Sequence, residues 1–556
     1  MTYFFQRFKN GKCIRPDLPK ITTDESVGYF TERKDGLKVL LINPPIREWS
    51  YPNIVPIGLA YIASVIKMDG HRLRVLDLNV TREKPIEDSR DYEELTSMLL
   101  AATIVEFKPD VIGIGGIVTQ YARIKKTIQQ CKKLTPNARI IIGGGMSSCM
   151  PEFMVERLNA DIAVCEEGEV TISEVLYRIE SDIPLDNCKG TVVRNDTSVQ
   201  HNGLRTSLVT GEEGLDHLPW PLRSYFHFDT YKKNPVGHIN FKQKWLNGKP
   251  DKNTPFSMSM IASRGCPYSC DYCYAQYLGL KYRQRSPKDV ADEMQYVKDN
   301  HGIEYIHFVD DLFMTSYKWQ IDFCEELEER KKSGFEIEWG ATCRTNVIAD
   351  DVVRAKKQNR KNILEQSFEV GMRNASYGIE SASPAILKLI DKSGQTPEKI
   401  IIAVNETKRL FGYVDPSFMV GSPGETKETI KETVDFCKEN NIDVEVVFFT
   451  TAYPATPFWQ LALDKGLIGK AVKGFNCEAD DDIIEKYLLM LGEQGDVVRT
   501  NFSDELTSNE LESLANWAIE ELSAGNTLKH TYIHPHTGET QIKTKKKARG
   551  ASFANI

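Results

Sequence analysis

Short apolar runs alternate with longer amphipathic stretches through the first part of the chain. Five runs have the length and β-branched content of strands: KVLLINPP (38–45), LRVLDLN (73–79), DVIGIGG (110–116), ARIIIGGG (138–145) and DIAVCEEGE (161–169). Helix-length segments such as GLAYIASVIKMDG and YARIKKTIQQCKKL follow most of them. Near-continuous apolar strands separated by helices indicate a parallel sheet covered on both faces. This region therefore predicts a doubly wound, Rossmann-like α/β domain.

A second series of apolar runs predicts six further strands. They are SMSMIA (257–262), YIHFVDD (305–311), EIEWGAT (336–342), NASYGIES (374–381), VDPSFMVG (414–421) and DVEVVFFT (443–450). The amphipathic segments between them, such as PKDVADEMQYVKDN, carry acidic residues early and basic residues late, which suits the helix dipole. Repeats of roughly 30 to 40 residues are typical of βα barrels. Six strands predict a partial (β/α)6 TIM-type barrel that is open on one side.

Composition separates the remaining segments from these two regions. The predicted organisation is an N-terminal extension (1–35), the α/β domain (36–200), a connector rich in Pro, Asn and Lys (201–255), the barrel (256–466) and a small helical C-terminal domain with a basic tail (467–556). In the last part, Thr507 and Glu510 have the spacing of a capping box, and no strand pattern is apparent. The tail KTKKKARG (543–550) is poor in apolar residues, so we expect a frayed, solvated end.

The charge balance and cysteine usage narrow the function classes. The chain has 70 Lys and Arg against 78 Asp and Glu, a net charge of -8, which argues against a nucleic-acid partner. No apolar run approaches the roughly 20 residues that span a bilayer, and the N-terminus lacks a signal-peptide core. We therefore expect a cytoplasmic protein without a membrane span. The 12 cysteines should then be mostly reduced, and the scattered ones fit small buried hydrophobes.

Three cysteines are clustered in the segment SRGCPYSCDYCYAQ (263–276). Cys266, Cys270 and Cys273 follow the first barrel strand, on the side where barrel active sites form. A structural zinc site needs a fourth ligand at short spacing, and the nearest histidines, His238 and His301, lie far outside the usual pattern. A thioredoxin-like motif would leave Cys266 unexplained. Three thiolates suit a 4Fe-4S cluster whose fourth iron is open to a small ligand.

The loop CPYSCDYC on the first strand of a six-strand partial barrel resembles the radical S-adenosylmethionine (SAM) enzymes, in which the open iron binds the amino and carboxylate groups of SAM. The resemblance covers about residues 255 to 465 and implies a 4Fe-4S cluster on Cys266, Cys270 and Cys273. Further motifs fall in order along the strands, and their residues imply contacts to SAM. These are Tyr272 near the adenine through its backbone, Asp310 and Asp311 for the amino group, Arg344 for the carboxylate, Glu380 and Ser381 for the ribose and methionine end, and Gly421 of GSPGET for close backbone approach.

Some of these residues have simpler explanations. An acidic helix cap before Phe313 would account for Asp310 and Asp311, and an exposed loop arginine would account for Arg344. In YPATP, Pro454 and Thr456 end the sixth strand, but Ala455 stands where the family usually has glycine. This departure weakens the assignment of the last motif.

The N-terminal domain resembles the cobalamin-binding domain that precedes such barrels in cobalamin-dependent radical SAM enzymes. The matching motifs are NPP (43–45), DLN (77–79), GGIVTQ (115–120), IIIGGG (140–145) and CEEGE (165–169). The residues implied in cobalamin binding are Thr119 at the corrin edge, Gly143, Gly144 and Gly145 at the nucleotide tail, and Gly168 of CEEGE. Because the first turn is NPPIREW and not a G-x-G-x-x-G motif, nicotinamide binding is disfavoured. A response-regulator-like module with structural glycines is the other alternative.

The sequence lacks the Asp-x-His-x-x-Gly element with which some cobalamin domains supply a histidine to cobalt. His71 precedes the second strand and is expected to be a surface loop residue. The resemblance therefore implies cobalamin bound with its own base displaced and with no histidine ligand from the protein.

The resemblance implies a cobalamin-dependent radical SAM methyltransferase. A 5'-deoxyadenosyl radical would abstract a substrate hydrogen, and methylcobalamin would methylate the resulting carbon. The substrate would be a small molecule, and a reductant such as flavodoxin or ferredoxin would supply electrons. Two alternatives stay open: a cyclase or rearrangement enzyme with the same cofactors, and a cobalamin- or SAM-sensing binding protein. Transfer RNA thiomethylation is disfavoured, because neither extra cluster cysteines upstream nor a basic RNA-binding domain is present.

Overall fold

The structure is a computed structural model, and it describes residues 33–45, 52–81, 89–196, 198–205, 215–233, 255–274, 282–444, 446–491, 498, 500–522, 527–533 and 540–546. The chain forms two compact units. Of the described residues, the first unit comprises those from 33 to 233 together with 488–491, and the second comprises those from 255 to 487 and from 498 to 546.

The first unit is built on a seven-stranded sheet. Its strands are β1 (Lys38–Asn43), β2 (Arg72–Asp77), β3 (Val111–Gly115), β4 (Arg139–Gly143), β5 (Ile162–Val164), β6 (Thr191–Arg194) and β7 (Val199–His201), in the order β2-β1-β3-β4-β5-β6-β7. The helices are α1 (Ile57–Met68), α2 (Ser89–Phe107), α3 (Tyr121–Leu134), α4 (Gly145–Cys149), α5 (Pro151–Leu158), α6 (Gly168–Glu180) and α7 (Phe228–Lys232). The predicted doubly wound fold and its five strands are confirmed.

Two features of the first unit differ from the expectation of a purely parallel sheet with a separate connector. Strands β6 and β7 extend the sheet with antiparallel pairing. Their short, mixed runs TVVR and VQH lack the continuous apolar pattern that marks a buried parallel strand. Residues 215–233, predicted as part of the connector, pack within the first unit, where Phe226 and Tyr231 are buried.

The second unit contains the predicted six-stranded sheet, parallel throughout. Its strands β8 (Ser257–Met260), β11 (Tyr305–Phe308), β12 (Glu338–Cys343), β13 (Met372–Glu380), β14 (Asp415–Val420) and β15 (Val446–Phe449) lie in sequence order. A short ribbon of β9 (Ser263–Arg264) and β10 (Arg283–Gln284) follows β8. The helices are α8 (Pro287–His301), α9 (Tyr317–Lys332), α10 (Thr345–Lys357), α11 (Ile363–Glu369), α12 (Pro384–Leu389), α13 (Pro397–Phe411), α14 (Lys427–Glu439), α15 (Pro457–Asp464), α16 (Leu467–Lys473), α17 (Asp481–Met490) and α18 (Ser508–Leu522).

The core of the second unit includes an aromatic cluster between β11, β12 and α9. Phe313 and Phe323 both contact Trp339, with ring centroids 5.5 and 5.6 Å apart. All three side chains are buried. Aromatic pairs in this geometry add to the energy of simple apolar burial, so the cluster anchors one side of the barrel.

The C-terminal region contains helices, as predicted, but it is not free of strands. The capping box is confirmed, because Glu510 accepts from the Thr507 backbone N–H at 2.8 Å and donates its own backbone N–H to the Thr507 hydroxyl at 3.3 Å. The expectation of a region without strands is wrong, and in the tail KTKKKARG residues 543–546 belong to a strand, while residues 547–550 lie outside the described residues. Strands β16 (Thr527–Ile533) and β17 (Thr540–Lys546) pair antiparallel. The β-branched residues in both segments favour this pairing, and backbone hydrogen bonding outweighs the density of lysines.

Candidate active site

The cysteine loop, residues 265–274, begins directly after β9 at the carboxyl end of the barrel strand β8. Cys270 is buried, and Cys266 and Cys273 are half-buried. Burial raises the pKa of the Cys266 thiol, with Asp311 and Cys270 adding to the rise and Arg344 opposing it. These mutual effects place two thiols, a carboxylate and a guanidinium in one neighbourhood.

Among the described residues, no group of three or more His, Cys, Asp or Glu side chains forms a ready metal cage. The fit to an iron-sulfur cluster therefore depends on donor chemistry. One loop supplies three thiols, which are the protein ligands that such clusters use. The Arg344 guanidinium donates a hydrogen bond to one of them, Cys270 Sγ. The residue types fit the cluster.

Four consecutive residues after α12, Ile390–Ser393, form hydrogen bonds with the cysteine loop and its neighbours, and we call them the clamp segment. The Ile390 carbonyl accepts from the Asp271 N–H at 3.2 Å. The Asp391 carboxylate accepts from the Ser269 hydroxyl at 2.5 Å. Asp391 has a φ of 47°, a left-handed conformation that turns the chain after α12. Of the other two clamp residues, Lys392 bonds the Tyr272 and Glu380 side chains, and the Ser393 carbonyl accepts from Arg344.

Tyr272, Glu380 and Lys392 form a buried hydrogen-bonded group. Lys392 Nζ lies 3.0 Å from Glu380 Oε1 and 2.8 Å from the Tyr272 hydroxyl, which itself donates to Glu380 at 3.0 Å. The Lys392 and Glu380 side chains are 7% and 11% exposed. Burial, and then the Glu380 charge, raise the pKa of Tyr272, so this hydroxyl stays protonated and acts as a donor. Lys392 is a site residue that the sequence pattern did not reveal.

The backbone at Glu380 is unusual for a side chain of this size. Its φ is 65°, and the pairing of β13 with β14 shifts register between Gly378 and Glu380. A non-glycine residue in this region costs free energy and is held only by strong surrounding contacts. Here the ion pair to Lys392 and the bond from Tyr272 provide those contacts. The bulge turns the Glu380 carboxylate toward the cysteine loop.

The two aspartates after β11 have different environments. Asp310 is buried and accepts from the Ala262 N–H at 3.0 Å and from the Ser263 hydroxyl, so it fixes the junction of β8 and β9. Burial raises the pKa of Asp310 to about 7, although the hydrogen bonds that it accepts lower the pKa. Asp311 stays accessible, although the surrounding protein raises its pKa to about 6. Of the two, Asp311 is the carboxylate that a ligand can reach.

Arg344 follows β12 and is buried, not exposed. Its Nη1 lies 3.5 Å from Cys270 Sγ, and its Nη2 donates to the Ser393 carbonyl at 2.8 Å. The guanidinium carbon lies 3.7 Å from the centroid of the Tyr268 ring. The alternative of an exposed loop arginine is therefore wrong, since the cysteine loop and the clamp segment enclose this side chain.

Two other predicted positions, Ser381 and Gly421, directly follow β13 and β14, whereas Ala455 lies in the loop between β15 and α15. The Ser381 hydroxyl is buried and bonded to Thr433 at 3.2 Å. Gly421 has a φ of 89°, and its N–H donates to the Glu425 carboxylate, whose pKa burial raises to about 7. Ala455 has a φ of 69°, which explains why glycine suits this position. Ser381 and Gly421 thus lie at strand ends as predicted, but the prediction that Pro454 and Thr456 end the sixth strand is wrong, because β15 ends at Phe449 and Thr456 caps α15.

In the first unit, the glycines predicted to bind cobalamin differ in how closely other atoms approach the position of a Cβ. A Cβ at Gly143 would meet nothing within 4 Å, whereas one at Gly144, whose φ is 84°, would lie 2.8 Å from the Gly116 carbonyl. A Cβ at Gly168 would lie 3.1 Å from Ile62 of α1. Gly144 and Gly168 thus serve chain packing, and Gly143 leaves open space at the end of β4. Gly145 begins α4, and Thr119 is half-buried in the turn after β3.

The expectation that His71 is a surface residue is wrong. It is buried at the start of β2, and its Nδ1 accepts from the Leu37 N–H at 3.2 Å. Burial lowers its pKa to about 4, and the nearby Arg33 adds to this effect. The hydrogen bond to the neighbouring strand accounts for its place inside the unit. His71 lies at the amino end of the sheet, away from the edge where Gly143 lies.

Two family profiles match the chain. The B12 binding domain matches residues 49–176, and the Radical SAM superfamily matches residues 260–437. The chain therefore carries the domain pair of the cobalamin-dependent radical SAM enzymes, a B12-binding domain followed by a radical SAM domain. Its cofactors are accordingly a 4Fe-4S cluster, SAM and cobalamin. No helix in the described ranges combines the length and apolar character required to cross a membrane.

Individual relatives of this family include methyltransferases and cyclases. An uncharacterized methyltransferase of Pyrococcus horikoshii, PH0819, is 28% identical over 78% of this chain and 84% of that protein. The anaerobic magnesium-protoporphyrin IX monomethyl ester cyclase of Cereibacter sphaeroides is 25% identical over 74% of this chain and 60% of that protein. Among solved structures, the radical SAM methyltransferase TsrM of Kitasatospora setae, with cobalamin and a [4Fe-4S] cluster bound, has a TM-score of 0.57 at 18% identity, covering 79% of this chain and 75% of that chain. This last similarity supports the fold.

Proposed function

We propose that this protein transfers a methyl group to a carbon atom of a small molecule. The observation that carries the proposal is the presence, in one chain, of a three-cysteine loop at the carboxyl end of the barrel and a B12-binding domain. When bound, the cluster and SAM supply a radical that removes a substrate hydrogen, and cobalamin supplies the methyl group. A low-potential donor such as flavodoxin or ferredoxin is the expected source of electrons.

The chain's own residues would bind and orient these groups. Cys266, Cys270 and Cys273 are proposed as the cluster ligands. For SAM, the Asp311 carboxylate is exposed, although it accepts from the Gly265 N–H, and it therefore suits a cationic amino group better than the buried Asp310, which accepts from the Ala262 N–H and the Ser263 hydroxyl. The Glu380 carboxylate is proposed for the ribose hydroxyls.

Other assignments in the barrel keep the roles that the family resemblance implies. Tyr272 is proposed near the adenine, Ser381 near the methionine end and Gly421 at a close backbone approach. Because the hydroxyl of Ser381 and the N–H of Gly421 both have protein partners, they would act mainly by shaping the pocket. The proposed role of Arg344 is different and is developed in the next subsection.

In the first unit, the open space at Gly143 suits the nucleotide tail of cobalamin, and Thr119 is proposed at the corrin edge. Gly144, Gly145 and Gly168 would support that cradle through the chain packing described above. We also propose that the protein supplies no histidine to cobalt. The position of His71, at the opposite edge of the sheet, agrees with this proposal.

The experiment is anaerobic turnover with SAM that carries a deuterated methyl group, a chemical reductant and added cobalamin. Reconstituted protein should form 5'-deoxyadenosine, and a true substrate should gain an intact CD3 group by mass spectrometry. The Cys266→Ala variant should retain cobalamin but lose SAM cleavage, and Cys437→Ala, a buried cysteine on α14, is the matched control. Reconstituted protein that binds only zinc, or a cluster indifferent to SAM, would refute the proposal.

A cyclase is the second candidate, supported by the similarity to the Cereibacter sphaeroides enzyme. The same turnover experiment distinguishes the two functions. A cyclase would form 5'-deoxyadenosine while its product loses hydrogen and gains no CD3 group. Absence of SAM cleavage with every substrate would instead favour a sensor.

A further inference from the structure

The Arg344 guanidinium is held rigidly at the edge of the cysteine loop. Its three nitrogens bond three different partners: Nε donates to Asn346 Oδ1 at 3.0 Å, Nη1 to Cys270 Sγ at 3.5 Å and Nη2 to the Ser393 carbonyl at 2.8 Å. The Arg344 residue is only 6% exposed. The orientation of the cation is therefore fixed by the surrounding protein.

An aromatic ring closes the remaining face. The Tyr268 ring centroid lies 3.7 Å from the guanidinium carbon, and the Tyr268 hydroxyl lies 3.3 Å from Asn346 Nδ2. Asn346 thus bonds both the guanidinium and the ring that covers it. A guanidinium is planar, so it can stack on an aromatic ring while its N–H groups donate to several partners in its plane, which the ammonium group of lysine cannot do. Swinging Arg344 toward another ligand would break several of these contacts.

We infer that Arg344 is a positioning residue for the cluster: it donates a hydrogen bond to the Cys270 thiolate and thereby raises the reduction potential of the cluster. The inference rests on the proposed function, because it requires the cluster to be bound by the cysteine loop. Hydrogen bonds to cluster sulfurs and nearby charges set the potentials of such centres. It also departs from the role that the family resemblance implies for Arg344, pairing with the SAM carboxylate.

The sign follows from the one-electron step. The 4Fe-4S(2+) state takes up one electron from a low-potential donor and becomes 4Fe-4S(1+), with no bond made or broken. The added negative charge is stabilised by a fixed cation in a buried site, where Coulomb interactions are weakly screened. Removing the cation and its N–H donor therefore makes reduction harder.

The test is a potentiometric titration of the reconstituted full-length protein, followed by electron paramagnetic resonance. For Arg344→Gln we expect the equilibrium constant for reduction to fall about tenfold, a shift of about 59 mV for one electron. Arg344→Lys keeps the positive charge but loses the planar set of N–H donors, so the reduction potential should shift by a smaller amount than in Arg344→Gln. The matched control is Arg360→Gln. The guanidinium carbon of Arg360 also lies over a tyrosine ring, 4.5 Å from the Tyr317 centroid, and its Nη2 lies 2.6 Å from Asp351 Oδ1. The control should keep the wild-type potential.

The outcomes separate the two proposals. Because the titration reads only assembled clusters, partial occupancy in a variant does not obscure its potential. If Arg344→Gln takes up no cluster, Asn346→Ser, which frees Nε, gives the second measurement and should lower the potential by a smaller amount. A wild-type potential in these variants, with weaker SAM binding, would overturn the inference and return Arg344 to the SAM carboxylate. Wild-type protein that assembles no 4Fe-4S cluster would refute the proposed function itself.

Discussion

The buried ion pair between Lys392 and Glu380 gives a quantitative prediction for the variant Lys392→Met. Methionine has a similar length and no charge, so the packing volume is nearly kept while Glu380 loses its cation. The carboxylate oxygen that Lys392 contacts at 3.0 Å would retain only the hydrogen bond from Tyr272, at 3.0 Å. The side chains are 7% and 11% exposed, so water cannot readily replace the ammonium group.

Breaking a buried pair by removing one partner costs about 3 kcal/mol or more, because the other charge is left uncompensated. For a unit of this size, each kcal/mol corresponds to roughly 2 °C in melting temperature, so we expect a decrease of about 6 °C. The double variant Glu380→Gln with Lys392→Met removes both charges and should recover part of the loss. The coupling energy of the cycle should be about 2 kcal/mol, within the range for residues in direct contact.

Pulse proteolysis with peptide-resolved mass spectrometry can follow the second unit separately in the full-length chain. The control is Lys399→Met, which removes an ion pair to Asp350 of similar length, 2.9 Å, but with side chains 31% and 50% exposed. Pairs of this kind contribute less than about 1 kcal/mol. If Lys392→Met costs no more than Lys399→Met, the pair is not desolvated as the structure indicates, and the argument for a preorganised charge group at this site is wrong.

Three further predictions test other parts of the structure. In Gly378→Ala, the new Cβ would lie 2.5 Å from Glu380 Oε1, the oxygen that accepts from Lys392 and Tyr272. SAM affinity should therefore fall about tenfold by calorimetry together with the stability of the second unit, whereas Gly58→Ala, at an open helical site, should change neither. Ala455→Gly should raise the melting temperature of the second unit, since left-handed alanine costs about 1 kcal/mol; a lower value would contradict the φ of 69°. Burial raises the pKa of Asp77 to about 6, so the folded state holds the proton more tightly and the stability of the first unit should fall by about 3 kcal/mol as pH rises from about 4 to 6. Asp77→Asn should abolish this slope in urea unfolding, and an unchanged slope would exclude Asp77 as its cause.

Much of the fold could be predicted from local patterns. The eleven predicted strands appear in the structure because a buried parallel strand needs a continuous apolar run, and such runs are visible in a single sequence. The strands that were missed have weaker patterns. Strand β7 is three residues long, and β17 is rich in lysine, so their pairing depends on a neighbouring strand more than on their own composition.

The site residues likewise include some whose positions the sequence predicted and some that only the structure could distinguish. Order along the chain alone placed Cys266, Asp311 and Glu380 at the carboxyl ends of the first, second and fourth barrel strands, because parallel strands present those ends to one edge of the sheet. The pattern did not distinguish Asp310 from Asp311, since both are acidic residues after the same strand. The difference between them lies in which carboxylate the Ala262 N–H and Ser263 hydroxyl reach, which depends on the ribbon after β8.

The sequence by itself determined the two α/β regions, the succession of their predicted strands along the chain and the three thiols available to a metal cluster, because each of these follows from spacing and residue type. Only the tertiary structure decided that Lys392 is buried on Glu380 and that Arg344 lies against Cys270. Lys392 meets Tyr272 across 120 positions of chain, and Arg344 meets Cys270 across 74. No local periodicity reports such contacts, since burial of a charged side chain is fixed by partners that folding brings from elsewhere.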